Sequence, residues 1–263
     1  MRKGICYVLL VFLLGVSVHA KESNWNLFPK NTVSLLLPST LDSARTTFLT
    51  NTLQFTASYK GKHTLELQLP LTLVFYSDLK AYESRNNTKL FISRPYVELT
   101  QTIGQNKLSH SFSFSCSFPV HRSAEAEALL GKDNYHRMGL LYNLRYMADP
   151  VAFATGIGVI SSVPYRENGH LMYELPKITV PSVLVFSINK TISLRAVSTV
   201  SVQFPEMSDG ELVTSEVIFD LKLALETMLK FDENHISVGL NKTMSNPFAK
   251  ISVYVSYGHD FAI

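Results

Sequence analysis

His235 and Ser237 stand two apart, a spacing that sets a base and a nucleophile on one face of a β-strand, as in barrel phospholipases. Parity turns both toward the polar side beside a tight turn, whereas such phospholipases work from the lipid-facing wall. An ordinary turn-proximal polar pair is the plainer reading. His110 is followed two residues later by Phe112, so no hydroxyl accompanies it, and an aromatic-like interfacial role suits it better. His121, His136, His170 and His259 are scattered without metal-ligand spacing. The chain has no Gly-rich phosphate loop, no Gly-x-Ser-x-Gly elbow and no His-Glu-x-x-His. No catalytic residue, metal or cofactor is therefore expected.

A second set of residues points to different chemistry. Glu66, Arg94, Glu98, Arg137, Arg145, Lys177, Arg195, Glu216, Asp220, Lys222 and Glu226 all fall on polar faces by parity. Opposed charges gathered inside a barrel form ion-pair ladders that brace the wall, and the same charges select among passing solutes.

These residues need strands to hold them. From Thr64, the residues Leu65, Leu67, Leu69, Leu71, Leu73 and Phe75 point one way, and Thr64, Glu66, Gln68 and Thr72 the other. That two-residue period is the mark of a strand with one apolar and one polar face. It recurs at 32–37, 47–59, 63–76, 90–102, 107–119, 136–147, 151–163, 176–188, 191–204, 213–230, 234–242 and 249–261. Most of these are long enough to cross a bilayer as tilted strands, which takes ~9–11 residues. Tight connections at 60–62, 104–106, 149–150, 189–190 and 232–234 alternate with longer ones at 38–46, 77–89, 120–135, 164–175, 205–212 and 243–248. Short periplasmic turns alternating with long outer loops require an even strand number with both termini in the periplasm, and twelve satisfies this. Ser123 to Leu130 reads as a short helix within 120–135, the connection best placed to act as a lid or plug.

The apolar faces suit lipid better than a protein core. Six large apolar positions succeed one another in 63–76, and the opposite faces are rich in Ser and Thr, as at Ser109, Ser111, Ser113, Ser115 and Ser117. Charged residues make up 17% of the chain, below the roughly 25% of ordinary soluble domains. In 151–163 the polar face holds only Ala152, Ala154, Gly156 and Gly158, small residues that leave room for Val183 and Val185 or for an inserted loop.

The first twenty residues carry a different signature. Arg2 and Lys3 precede an apolar run from Ile5 to Val16, and Val18-His19-Ala20 offers a cleavage site before Lys21. Cys6 leaves with that segment and Cys116 remains alone on an apolar face, so no internal disulfide is expected. Loss of Arg2 and Lys3 leaves a net charge near +1, too little to steer the chain toward nucleic acid.

Two runs carry a family resemblance. Tyr142-Asn-Leu-Arg-Tyr-Met-Ala-Asp149-Pro150-Val-Ala-Phe and Pro181-Ser-Val-Leu-Val-Phe-Ser-Ile-Asn189-Lys-Thr-Ile-Ser-Leu resemble turns in small outer-membrane barrels of the transporter family named for a meta-pathway of phenol degradation. The resemblance covers roughly 136–261. The last strand, with Phe261 near the end and Ile263 where such barrels carry Phe, resembles their assembly signal. The resemblance implies a pore for small, apolar or aromatic solutes and transfers no catalytic residue.

The expected protein is all-β, with residues 1–20 as a cleavable signal peptide and 21–263 as a single antiparallel transmembrane β-barrel of twelve strands. It belongs in the bacterial outer membrane, with outer-membrane lipid and the barrel-assembly machinery as partners and a small solute as cargo. Two other readings fit the alternation: a non-transport barrel presenting its loops to a partner, and a soluble exported barrel holding an apolar ligand inside.

Overall fold

The register at Thr64–Gln68 shows how the wall is built. Glu66 lies opposite Thr56 on one side and Glu98 on the other, and Leu65 lies opposite Ala57 and Leu99. Residues directly opposite in antiparallel strands share a face, so one strand's alternation propagates around the sheet. The computed structural model describes residues 24–37, 47–77, 86–104, 107–120, 135–167, 169–212, 217–245 and 248–262. The signal segment expected at 1–20, the short helix expected at 123–130 and Glu216 lie outside the described residues.

In chain order the strands are β1 (Trp25–Leu37), β2 (Thr47–Tyr59), β3 (His63–Ser77), β4 (Asn86–Ile92), β5 (Tyr96–Ile103), β6 (Leu108–Ser117), β7 (Arg137–Ala148) and β8 (Val151–Ser162). Two short strands follow, β9 (Tyr165–Glu167) and β10 (His170–Glu174), then β11 (Lys177–Ser187) and β12 (Ile192–Gln203). After β13 (Glu206–Ser208) and β14 (Glu211–Leu212) come β15 (Ile218–Phe231), β16 (Asn234–Ser245), β17 (Phe248–His259) and β18 (Phe261–Ala262). Each long strand pairs antiparallel with its neighbour, and β1 closes the ring against β17 and β18. Since β4 with β5, and β17 with β18, each continue one wall strand, the barrel has twelve strands, as expected.

The faces are inverted relative to a soluble barrel. Among the described residues the only buried hydrophobic side chains are Val74 and Tyr135, whereas Thr72, Ser113, Ser201, Glu226, Ser237 and Ser256 are buried. Leu99, Phe112, Leu140, Ile157, Leu225 and Leu240 stand exposed on the outside. An apolar outer band around a polar interior is what lipid demands of a barrel. The reading of a soluble barrel with an apolar interior is corrected by this arrangement. Trp25 and Tyr59 pack together at 5.1 Å near the short-turn end. His110 on the outer wall there bonds the Tyr142 hydroxyl at 2.6 Å, which fits the rim where aromatic residues collect.

Three sequence expectations change. The first strand is 13 residues long and begins at Trp25, so it includes Lys30. The strand expected at 90–102 is broken: three residues, Ser93, Arg94 and Pro95, separate Ile92 from Tyr96, opposite only two on β3 between Leu71 and Gln68. This is a bulge, and its extra residue reverses the parity so that Leu90 and Ile92 face outward with Leu99 and Ile103. Pro70, which has no N–H to give the ladder, accepts the Ser93 amide at 2.9 Å. Finally, the longer connections expected at 164–175 and 205–212 carry strands of their own. They form a separate four-stranded sheet, in the order β14-β13-β10-β9, at the end opposite the short turns.

Candidate functional site

Strand parity brings charges to the lumen, and the register decides which of them meet. Arg195 and Glu226 are direct cross-strand partners, with Arg195 Nη1 3.2 Å from Glu226 Oε2. Tyr254, from β17, stands over Gly239, the cross-strand neighbour of Glu226. Lys30, from β1, lies within electrostatic reach of Glu226, Arg195 and Glu66. A belt of charge thus runs along the wall from β12 through β15, β17 and β1 to β3 and β5.

The belt contains a costly pair. Glu66 and Glu98 lie directly opposite each other on β3 and β5, where like charges destabilise a sheet. Each carboxylate is supplied with donors: Gln68 for Glu66, Tyr96 and Thr100 for Glu98. Thr100 Oγ1 in turn shares a hydrogen bond with Ser113 Oγ at 2.6 Å. Donors aimed at a carboxylate, with Lys30 near Glu66, replace the water that the lumen wall removes.

The other side of the lumen, lined by β7, β8 and β11, is built differently. Gly156 lies against Asn143, Gly158 has Leu141 Cδ1 and Thr179 Oγ1 both at 2.9 Å from where a Cβ would stand, and Gly139 faces Ser115 Oγ. Ala154 lies opposite Val183, and Ala152 opposite Val185. The small residues therefore make room for Asn143, Leu141 and Thr179 as well as for the two valines.

At the outer mouth, Arg137 grips Glu174 with two bonds, Nη2 to Oε1 at 2.8 Å and Nε to Oε2 at 3.1 Å. Tyr135 donates its hydroxyl to the same carboxylate and accepts from Arg137 Nη2 at 2.6 Å. The guanidinium carbons of Arg94 and Arg137 lie 5.1 and 5.0 Å from the Tyr135 ring centre, and Tyr165 stacks on that ring at 4.8 Å. Lys177 Nζ is 3.6 Å from Asp220 Oδ2, with Lys222 and Arg137 close by.

At the short-turn end, His235 Nε2 lies 2.6 Å from Asp260 Oδ2 and Ser237 pairs with Ser256 across the β16–β17 ladder. Arg145 is exposed on the lumen side near that end.

The expected charges thus divide. Glu66, Glu98, Arg195 and Glu226 lie on one belt in the half of the wall nearer the short turns, and Arg94, Arg137, Lys177, Asp220 and Lys222 gather toward the outer mouth. Arg145 stands apart. Sequence reasoning missed Lys30, Tyr254, Tyr135 and Glu174. Lys30 was legible in principle, because Lys30, Thr32 and Ser34 continue one polar face, but the expected strand began only at 32. Glu174 carried no signal, since it belongs to a stretch whose period is too short to read.

A closed antiparallel barrel of twelve strands with a lipid-matched exterior and a charged lumen is a bacterial outer-membrane β-barrel. The fold is similar to that of an outer membrane channel from Pseudomonas putida F1, with a TM-score of 0.66 and 11% identity over 90% of this chain and 94% of that chain. It is also similar to the NanC porin, with a TM-score of 0.56 and 8% identity over 89% of this chain and 98% of that chain. The translocator domain of the autotransporter NalP from Neisseria meningitidis gives 0.52 and 12% identity over 98% and 96%. At such identities the likeness is one of fold. No protein-family model and no curated protein sequence matches the chain.

Proposed function

We propose that this barrel is a passive outer-membrane channel for small solutes, aromatic ones among them, delivered to the membrane by removal of residues 1–20 and by the barrel-assembly machinery. The observation that carries this reading is the asymmetry of the lumen. A charged belt holding Lys30, Arg195, Glu226, Glu66 and Glu98 faces a side floored by glycine and alanine. Fixed charges of both signs on the lumen wall raise the local concentration of polar solutes and order their dipoles, while the glycines and alanines seat uncharged neighbours on the other side. The resemblance of the 142–153 and 181–194 runs to the phenol-degradation transporters supports small aromatic cargo, and the charged belt supports cargo that also carries a polar group. The charged residues on the polar faces, Glu216 included, are proposed to line this path.

The test is solute flux into liposomes carrying the purified barrel. Neutralising Arg94, Arg145 and Arg195 together should change the ratio of anion to cation flux severalfold. Ala154→Trp, on the small-residue side, should reduce flux of every solute without changing that ratio. No flux from a folded barrel in any of these preparations would return the non-transport reading, in which the loops bind a surface partner.

A further inference from the structure

Glu66, Glu98, Asp220 and Glu226 all sit on wall strands, but Glu174 does not. It ends β10, in the separate sheet at the outer mouth, and reaches the Arg137 fork from outside the barrel wall. Its own amide donates to Ser162 Oγ at 2.7 Å, which holds the end of β10 over the rim. The site it occupies consists of Arg137 Nε, Arg137 Nη2 and the Tyr135 hydroxyl, three donors converging on one carboxylate. Arg94 stands over the Tyr135 ring beside it. A planar guanidinium fork fits a carboxylate with two parallel bonds, which a lysine cannot match. Arg137 is 38% exposed, so the fork is reachable from the mouth.

We propose that Arg137 and Tyr135 form a binding site for small organic carboxylates at the outer mouth, filled in this structure by Glu174 and taken over by a solute carboxylate that displaces it. The proposal rests on the channel reading and names the class of solute. Tyr165 and Tyr135, stacked at 4.8 Å with their planes 19° apart, give the site an aromatic flank. Lys177 lies near Arg137 and pairs with Asp220 at 3.6 Å, and Lys222 lies near Lys177, so further positive charge stands on the lumen side of the site. An internal competitor held beside its site acts at an effective concentration in the millimolar range, so it keeps the apparent affinity low. A channel needs that weakness, because a solute bound tightly at the mouth does not pass.

Benzoate is the probe, titrated into the purified full-length barrel in detergent and followed by saturation-transfer NMR, with heat-dependent gel migration showing that each variant is folded. Glu174→Gln keeps the size of the side chain and removes its charge. It should tighten benzoate binding about tenfold, because the amide keeps one acceptor oxygen but loses the charge and the second acceptor that hold it in the fork. Arg137→Lys should weaken binding at least about tenfold, because the charge remains but the fork is lost. Benzyl alcohol should bind no differently to the three proteins. An unchanged or weakened benzoate affinity in Glu174→Gln overturns the proposal, whatever Arg137→Lys does. Flux in liposomes separates the two readings. Flux with benzoate binding indifferent to Glu174 removes this site and leaves the channel. No flux, with binding still tightened by Glu174→Gln, removes the channel and leaves the site.

Discussion

Arg195 and Glu226 face each other across β12 and β15 at 3.2 Å, yet they are unequally covered: the Arg195 side chain is 36% exposed and that of Glu226 only 3%. Removing one partner of a buried pair is costly chiefly through the charge left behind. Arg195→Ala strands a buried carboxylate, whereas Glu226→Ala strands a guanidinium that water already reaches. Arg195→Ala should therefore destabilise the barrel by about 2–4 kcal/mol, somewhat less than the ~3–5 kcal/mol of a fully buried pair because one partner is solvated. Glu226→Ala should cost less than half as much. Urea midpoints of the two variants in the same lipid vesicles check the order, and equal midpoints would contradict the asymmetry.

Tyr254 lies flat over Gly239, its cross-strand partner, and a Cβ at that position would collide with the ring. The ring covers the bare glycine backbone beside Glu226. Gly239→Ala should push Tyr254 off the wall and cost about 1–3 kcal/mol, as overpacking does elsewhere. Restoring the space with Gly239→Ala plus Tyr254→Ser should recover part of the loss. A double variant no more stable than Gly239→Ala would show that the ring is not the obstacle.

How much of this could be read from the sequence depends on how many residues carry each signal. Six leucine and phenylalanine positions in 63–76 fix that strand's face redundantly, so the barrel and its twelve strands were legible. Leu90 and Ile92 show the opposite case. Simple parity from Glu98 sets them inward, and only a single extra residue at Ser93–Pro95 turns them out. A bulge is a one-residue event with no period of its own, and nothing in the chain announces it. Which lumen charges meet is also a matter of register. Glu66 opposite Glu98, and Lys30 within reach of Glu226, depend on offsets accumulated around the ring. Glu174 is the furthest from view, because it is placed by strands of two to five residues.

Asn51 points outward from β2 between Val33 and Leu71, and its Oδ1 is buried without a hydrogen-bond partner. An amide oxygen in that position has lost water and gained nothing in return, at a cost of about 1–3 kcal/mol. Asn51→Leu should therefore stabilise the barrel by about 1–2 kcal/mol, an unusual outcome for a point substitution in a folded wall. The urea midpoint in vesicles is the measurement. A lower midpoint would mean that Asn51 meets a polar group that the monomer does not contain.

Asp209 ties the outer sheet together away from the membrane. Its Oδ1 accepts the Leu171 amide at 2.7 Å and its Oδ2 lies 2.6 Å from His170 Nδ1. The Leu171 amide, and after it the His170 ring, hold the Asp209 carboxyl below the usual aspartate value. A carboxyl lowered on folding stabilises the sheet at pH above its unfolded value, about 3.9, and that contribution fades as pH falls through the lower folded value. The link between β10 and the β13–β14 turn should thus be intact at neutral pH and weaken only in strong acid. Hydrogen-exchange protection at the Leu171 amide, measured as a ratio to the free-peptide rate, should be flat from about pH 7 to 5 and fall below about pH 4. Asp209→Asn keeps an oxygen acceptor and tolerates the positive φ of 49° at this position, so its profile should be lower throughout and flat across the acid range. A wild-type profile that stays flat to pH 2 would show that the carboxylate does not hold the sheet.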